Sequence, residues 1–279
     1  MPALSKSLNI SGKLFTFEKP RIMGILNITP DSFYDTSRVF SEKEISLRAE
    51  KMLNEGADFL DVGGYSSRPG AKIIPTTEEW KRVGLGIKTI VKQFPKALIS
   101  VDTFRSEIAK KAVEAGACMV NDISGGSADK KMFDTVAQLK VPYILMHSRG
   151  NPQTMQKKTN YKNLLTDLMS YFNTKINQLE KHTIYDIIID PGFGFAKNLS
   201  QNFLILKNLN YFSILNRPVM VGLSRKSMIY KLLNTTPEHA LNGTTAVNTV
   251  ALLNGADILR VHDVREAREV VDVVLQIGN

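Results

Sequence analysis

Short apolar runs, most ending on a polar residue, alternate along the chain with longer stretches whose apolar positions recur at helical spacing. The runs are 22–28 (IMGILNI), 58–63 (DFLDVG), 98–102 (LISVD), 118–121 (CMVN), 142–147 (PYILMH), 186–190 (DIIID), 218–222 (PVMVG) and 257–261 (DILRV). Eight such strands separated by helices predict βαβ units and a parallel sheet. Helix starts are marked by capping-box spacing at Ser41 with Glu44, Thr76 with Glu79 and Asp263 with Glu266. Within 77–94, Trp80, Val83, Ile87, Ile90, Val91 and Phe94 share one helical face. Residues 7–18 alternate around Ser11-Gly12 and predict a small hairpin before the first parallel strand. The segment 224–255 predicts two helices, 225–233 and 239–254, broken at Thr235-Thr236-Pro237.

One local pattern recurs. NEGADFLDV (54–62), EAGACMVND (114–122) and LNGADILRV (253–261) each run from helix end through glycine and alanine into a strand. Gly56, Gly116 and Gly255 sit where a left-handed residue ends a helix. Three copies of one joint favour an α/β fold of the (β/α)₈ TIM-barrel type with a short N-terminal hairpin; a doubly wound open sheet is the alternative. The expected organisation is one barrel domain over 1–279.

Composition adds limits rather than chemistry. Hydrophobic residues are 43% and charged residues 23% of 279, ordinary for a soluble globular chain. The single Cys118 excludes an intrachain disulfide and any zinc site built from several cysteines. The first residues contain no apolar signal-peptide core and no membrane-length apolar run follows, so a cytoplasmic protein without membrane attachment is expected. Net charge is +9, which fits nucleic acid or an anionic small molecule. The basic residues are scattered, with only pairs such as Lys110-Lys111, Lys130-Lys131 and Lys157-Lys158, so no nucleic-acid partner is expected.

In a barrel, chemistry gathers at the C-terminal strand ends. Those ends supply Asn27, Asp61, Asp102, Asn121-Asp122, His147, Asp190, Ser224-Arg225-Lys226, and Arg260 with His262. Asp102, Asn121 and Asp190 would share one mouth. Two carboxylates and an amide suit the edge of a flat heterocycle rich in N–H donors; a metal site or an acid/base dyad are the other readings. Arg68, Lys226, Arg260 and His262 form a cationic group suited to phosphate or pyrophosphate. Lys226 and Arg260 could instead pair with barrel carboxylates for stability. Segments 29–40 (TPDSFYDTSRVF) and 63–75 (GGYSSRPGAKIIP) are long, rich in Gly, Pro, Ser and Asp, and placed to close over the mouth.

At these positions the chain resembles dihydropteroate synthase. MGILNITPDSF (23–33), DVGGYSSRPG (61–70), SVDT (100–103), VNDISG (120–125), MHSRGNPQTMQ (146–156), DPGFGFAK (190–197), GLSRKS (222–227) and RVHDV (260–264) follow that family's order and spacing. The resemblance implies a homodimeric transferase of folate biosynthesis that joins a pterin pyrophosphate to 4-aminobenzoate and is blocked by sulfonamides. It implies a pterin pocket of Asp102, Asn121, Met146, Asp190 and Lys226, and pyrophosphate binding by Arg68, Arg260 and His262. Asn27 would help hold Mg²⁺ on the pyrophosphate. Phe33, Ser66, Ser67, Pro69, Phe195 and Ser227 would form the 4-aminobenzoate site, and Asp35, Arg68 and Lys226 would serve catalysis.

The family's pattern is broken at a few places. Tyr65 stands where Glu is common, Ser67 for a frequent Thr, Ser148 for a frequent Met, and Thr36-Ser37 where Gly-Gly is common. Tyr65 removes a charge from the second loop and leaves its latch to be found. A pterin-dependent methyltransferase domain would share the barrel and a similar pocket but would not need SSRPG, SRKS or RVHDV. A non-catalytic basic binding protein is the alternative of another class.

Overall fold

The computed structural model describes residues 6–29, 41–66, 73–151 and 153–278. Strands β1 (Ser7–Ile10) and β2 (Lys13–Thr16) form the antiparallel hairpin. Its two-residue turn has Ser11 and Gly12 at φ 52° and 80°, the left-handed pair that matches strand twist. The eight parallel strands follow: β3 (Arg21–Asn27), β4 (Phe59–Gly63), β5 (Leu98–Asp102), β6 (Met119–Asp122), β7 (Tyr143–Met146), β8 (Ile187–Asp190), β9 (Met220–Val221) and β10 (Ile258–Val261). Their order is β8-β7-β6-β5-β4-β3-β10-β9, and a bridge between Ile189 and Val219 brings the two edges together. The barrel expected from the three αβ joints is the fold. Gly56, Gly116 and Gly255 have φ of 97°, 116° and 89°, so each does end its helix left-handed.

Strand parity sorts the core. Ile22, Leu60, Val62, Ile99, Val101, Val120, Leu145, Ile187 and Val221 point outward into the layer between barrel and helices. Their neighbours Met23, Phe59, Met119, Ile144, Ile188, Met220 and Ile258 fill the barrel interior together with Leu8 and Ile10 of the hairpin. The hairpin thus plugs the N-terminal end. The next inward position on each strand, one layer up, is where side chains reach the open mouth.

The helices are α1 (Glu42–Asn54), α2 (Thr76–Gln93), α3 (Ser106–Glu114), α4 (Met132–Leu139), α5 (Leu164–Lys181), α6 (Leu199–Lys207), α7 (Ser227–Tyr230), α8 (Leu241–Leu253) and α9 (Val264–Gly278). The Ser41–Glu44 capping box forms as expected. At α2 it does not: Pro75 takes the N-cap without a side-chain bond. Glu79 is instead wholly buried, accepting from Thr103 at 2.6 Å and Arg105 at 2.5 Å. The Asp263 carboxylate receives the Arg225 fork at 2.9 Å on both arms. The helix expected over 225–233 shrinks to α7, because Arg225 lies at φ 54°, outside helical space, and Asn234 at φ 49° closes the segment. Helix α2 lies so close to the barrel that a Cβ on Gly86 would come within 2.2 Å of Ile28.

Candidate active site

The inward parity that puts Met23 and Phe59 in the plug puts Asp61, Asp102, Asn121, Met146, Asp190 and Arg260 in the layer above. Arg260 reaches across the mouth. Its Nε donates to Asp61 at 2.7 Å and a terminal nitrogen donates to Asp102 at 2.8 Å. Asn121 donates to the same Asp61 oxygen at 2.8 Å. The other Asp61 oxygen is buried without a hydrogen-bond partner. The pairing of Arg260 with barrel carboxylates, held open from the sequence, is therefore present, and it draws Asp102 and Arg260 into one site.

Burial dominates the electrostatics. It raises Asp102 to about 7, against the opposing pull of Arg260. Burial also raises Asp190, opposed first by Lys226, while one Asp190 oxygen accepts from the Gly192 amide at 2.7 Å. Lys226 is drawn down to about 8 by burial, with Asp190 acting against that. Its ammonium donates to the Phe193 carbonyl and stands 4.8 Å from the centre of the Phe195 ring. Met146 is buried in the wall.

At the rim, His262 is exposed, and its backbone amide and Nδ1 both lie against Ser224 Oγ, at 3.2 and 3.1 Å. Ser227 begins α7, half-buried beside Lys226. Ser66 follows β4 and is half-buried. Asn27 ends β3, and a Cβ on the facing Gly63 would approach its Oδ1 to 3.0 Å, so the bare glycine keeps that oxygen uncrowded. Phe33, Asp35, Ser67, Arg68 and Pro69 lie outside the described residues.

Several polar strand ends turn elsewhere. Asp122, one residue past Asn121, faces outward and accepts from Tyr143 at 2.7 Å and from the Ser124 and Gly126 amides. His147 is buried against Lys197. Arg225 braces α9 through Asp263. Asp61, noted in the sequence only as a strand end, is the residue that orients both Asn121 and Arg260; its even spacing from Phe59 was the available signal. Tyr65 replaces a charged latch with an aromatic one. Its ring meets Phe104 edge-on at 5.1 Å and lies 5.9 Å from the Arg105 guanidinium, which also binds the Ile74 carbonyl at 2.7 Å. Cys118 is buried and unpaired with any other cysteine.

The model of the pterin binding enzyme family matches residues 23–262. The Escherichia coli K12 dihydropteroate synthase is 40% identical over 265 residues, covering 94% of this chain and 93% of that one. The folic acid synthesis protein fol1 of Pneumocystis carinii is 42% identical over 275 residues, 95% of this chain but only 37% of that longer protein. Among solved structures, Yersinia pestis dihydropteroate synthase with a sulfonamide drug complex superposes with a TM-score of 0.92 at 35% identity, covering 98% of this chain and 99% of that one. The Xanthomonas albilineans dihydropteroate synthase with 4-aminobenzoic acid gives 0.91 at 36% identity, covering 98% of each. With the fold, the polar mouth and this similarity over nearly its whole length, the chain belongs to the dihydropteroate synthases, pterin-binding transferases of folate synthesis.

Proposed function

We propose that the mouth joins 6-hydroxymethyl-7,8-dihydropterin pyrophosphate to 4-aminobenzoate by dissociative substitution at the pterin methylene. The observation that carries this is the Asp61–Arg260–Asp102 bridge over Asn121, with Asp190 and Lys226 beside it. Acceptors and one amide face inward for the donor-rich edge of a pterin, and Arg260 and Lys226 among them, with His262 at the rim, supply positive charge for the leaving group. Asp102, Asn121, Asp190, Met146 and Lys226 hold the pterin. Arg260, His262 and Arg68 take the pyrophosphate.

Charge separation sets the mechanism. The methylene C–O bond breaks with its electron pair leaving on pyrophosphate, so positive charge grows on the pterin. Asp102 and Asp190 favour that charge, while Arg260 and His262 favour the departing anion, in a mouth where fixed charges count most. The arylamine nitrogen then bonds the methylene and loses a proton to solvent. It is already nucleophilic and needs placing rather than activating. Phe195, Ser227 and Ser66, with Phe33, Ser67 and Pro69, provide that placement. Asp35 and Arg68 complete the catalytic set with Lys226.

Mg²⁺ fits the residues present. Among the described residues no cluster of three or more His, Cys, Asp or Glu could hold a metal, so the ion would lean on the Asn27 oxygen and on substrate phosphate oxygens, the few-ligand pattern usual for this cation. When bound it would neutralise charge on the leaving group. The sulfonamide class carried by the Yersinia structure would compete with 4-aminobenzoate here, and cytoplasm and a homodimer are the proposed setting. Among the described residues no helix is long and apolar enough to cross a membrane.

The test is pyrophosphate release that requires 4-aminobenzoate, measured with Mg²⁺ on the purified chain. Folded protein that releases none would sink the proposal. Asp190→Asn should lower pterin affinity at least tenfold by calorimetry; unchanged binding would mean that the pocket is misassigned.

A further inference from the structure

Beneath the turn between β8 and α6 lies a buried cation that none of the steps above uses. Lys197 is 3% exposed. Its ammonium donates to His147 Nδ1 at 3.1 Å, to the Gly192 carbonyl at 3.0 Å and to the Phe195 carbonyl at 2.9 Å, with the His147 carbonyl a longer 3.5 Å away. The three shorter contacts match the three N–H donors of a protonated lysine, and the fourth shares one of them. With the lysine protonated, the His147 ring is neutral with Nδ1 unprotonated, which agrees with burial holding it far below its usual range, at about 2.

The turn it holds is costly backbone. Gly192, Gly194 and Ala196 lie at φ 74°, 79° and 50°, and the last is not a glycine. No side chain could replace Gly192, whose Cβ would sit 2.0 Å from the His147 carbonyl oxygen. Asn202 and Tyr161 help, accepting from the Gly194 amide at 2.7 Å and donating to the Ala196 carbonyl at 2.9 Å. Among the described residues, Lys197 ties both ends of the turn, Gly192 and Phe195, to the end of β7 through His147. From this turn the Gly192 amide reaches Asp190, and the Phe193 carbonyl and Phe195 ring reach Lys226.

We propose that Lys197 is a positioning residue of the synthase site: its protonated ammonium holds the 192–195 turn in the shape that presents Phe193 and Phe195 to Lys226 and seats the 4-aminobenzoate ring. This rests on reading the mouth as the synthase site. The charged groups facing the ammonium are Asp190, Lys226 and Arg149, with neutral His147, and burial draws Lys197 down to about 7. Losing its proton removes one donor and the charge that strengthens the rest, so the turn loosens as pH rises.

The experiment compares wild type with Lys197→Met, which keeps the stem and drops the charge. Pyrophosphate release is followed against 4-aminobenzoate concentration from pH 6 to 9, and folding is checked by circular dichroism. Expected is a folded variant whose KM for 4-aminobenzoate rises at least tenfold at pH 6.5. Wild-type KM should rise with pH on a limb that the variant lacks, where destabilisation alone would lower kcat and leave KM unmoved. A folded variant with wild-type KM and profile overturns the proposal while leaving the synthase reading intact; wild type without turnover overturns both. If Lys197→Met does not fold, the Lys197 ¹³Cε resonance is titrated in wild type. Its midpoint must coincide with the KM limb, and a separate midpoint overturns the proposal.

Discussion

Asp61 touches no solvent, yet it sets the direction of two pocket residues by accepting from Asn121 and Arg260 on one oxygen. Asp61→Asn would set an amide against the Arg260 guanidinium and free Asn121 to rotate. Pterin affinity should fall about ten- to a hundredfold, the worth of one to two charge-assisted bonds of ~1.4 kcal/mol each. Calorimetry on the folded variant checks this, and near-native affinity would remove Asp61 from the site. His147 gives a pH prediction. Its folded pKa of about 2 lies below the ordinary histidine value of 6.5, so the unfolded chain alone takes up that proton on acidification. Its contribution to stability is whole above 6.5 and falls as pH drops, by up to about 1.4 kcal/mol per pH unit. Asp102 runs the other way: raised to about 7, it binds its proton first in the folded state and adds stability as pH falls below that. His147→Gln keeps an acceptor for Lys197 without a titrating ring. In urea unfolding from pH 7 to 5 it should gain on wild type steadily as pH falls; parallel curves would refute the depressed pKa. At this scale residue types at strand ends were legible, and so was the inward direction of Asp102, Asn121 and Asp190; the partners that each side chain takes were not. Asn121 and Asp122 are neighbours, and strand parity sends one inward and the other to Tyr143.

Helix starts show what pattern can and cannot settle. Ser41 and Thr76 carry the same capping spacing, and only Ser41 caps. The difference lies in partners distant in sequence. Glu79 is taken by Thr103 and Arg105, so it cannot reach back to its own helix start, and Pro75 has no polar side chain to offer. Ser41→Ala should therefore cost ~1 kcal/mol of stability, while Thr76→Ala should stay within about 0.5 kcal/mol. Denaturant midpoints at constant slope compare the two, and equal losses would contradict the assignment. The strands themselves were read closely, because a buried parallel strand is a continuous apolar run between turns. The helix expected over 225–233 failed for a backbone reason that composition hides, since Arg225 occupies left-handed space to brace Asp263. The expectations on Phe33, Asp35 and residues 67–69 lie outside the described elements.

At the scale of the whole molecule, α8 buries two polar residues beside Ala251 and Leu252 and leaves apolar ones outside. Thr244 and Asn248 are buried, whereas Ala246, Val250 and Leu253, spaced along one face, are exposed. Helix α6 packs beside α8 and exposes Leu199 and Leu204. The buried polar side is explained locally, with Thr244 Oγ1 accepting from the Arg225 amide at 3.0 Å and donating to the Ala240 carbonyl at 2.8 Å. The outer apolar side has no such account within one chain, and exposed apolar residues on two helices that pack together are surface that association would cover. The homodimer proposed above would cover this face if a second copy met it about a two-fold axis, supplying matching apolar surface from the same residues. Asp102, Asn121 and Asp190 sit at the strand ends inside the mouth, whereas Val250 and Leu253 lie on the exposed side of α8, so dimerisation and pterin binding should separate. Val250→Lys with Leu253→Lys places like charges across the axis. Wild type is expected to sediment as a dimer at micromolar concentration and the double variant as a monomer that still binds pterin with native affinity. A monomeric wild type would assign the face to another partner, and a double variant that stays dimeric would move the interface elsewhere on the barrel.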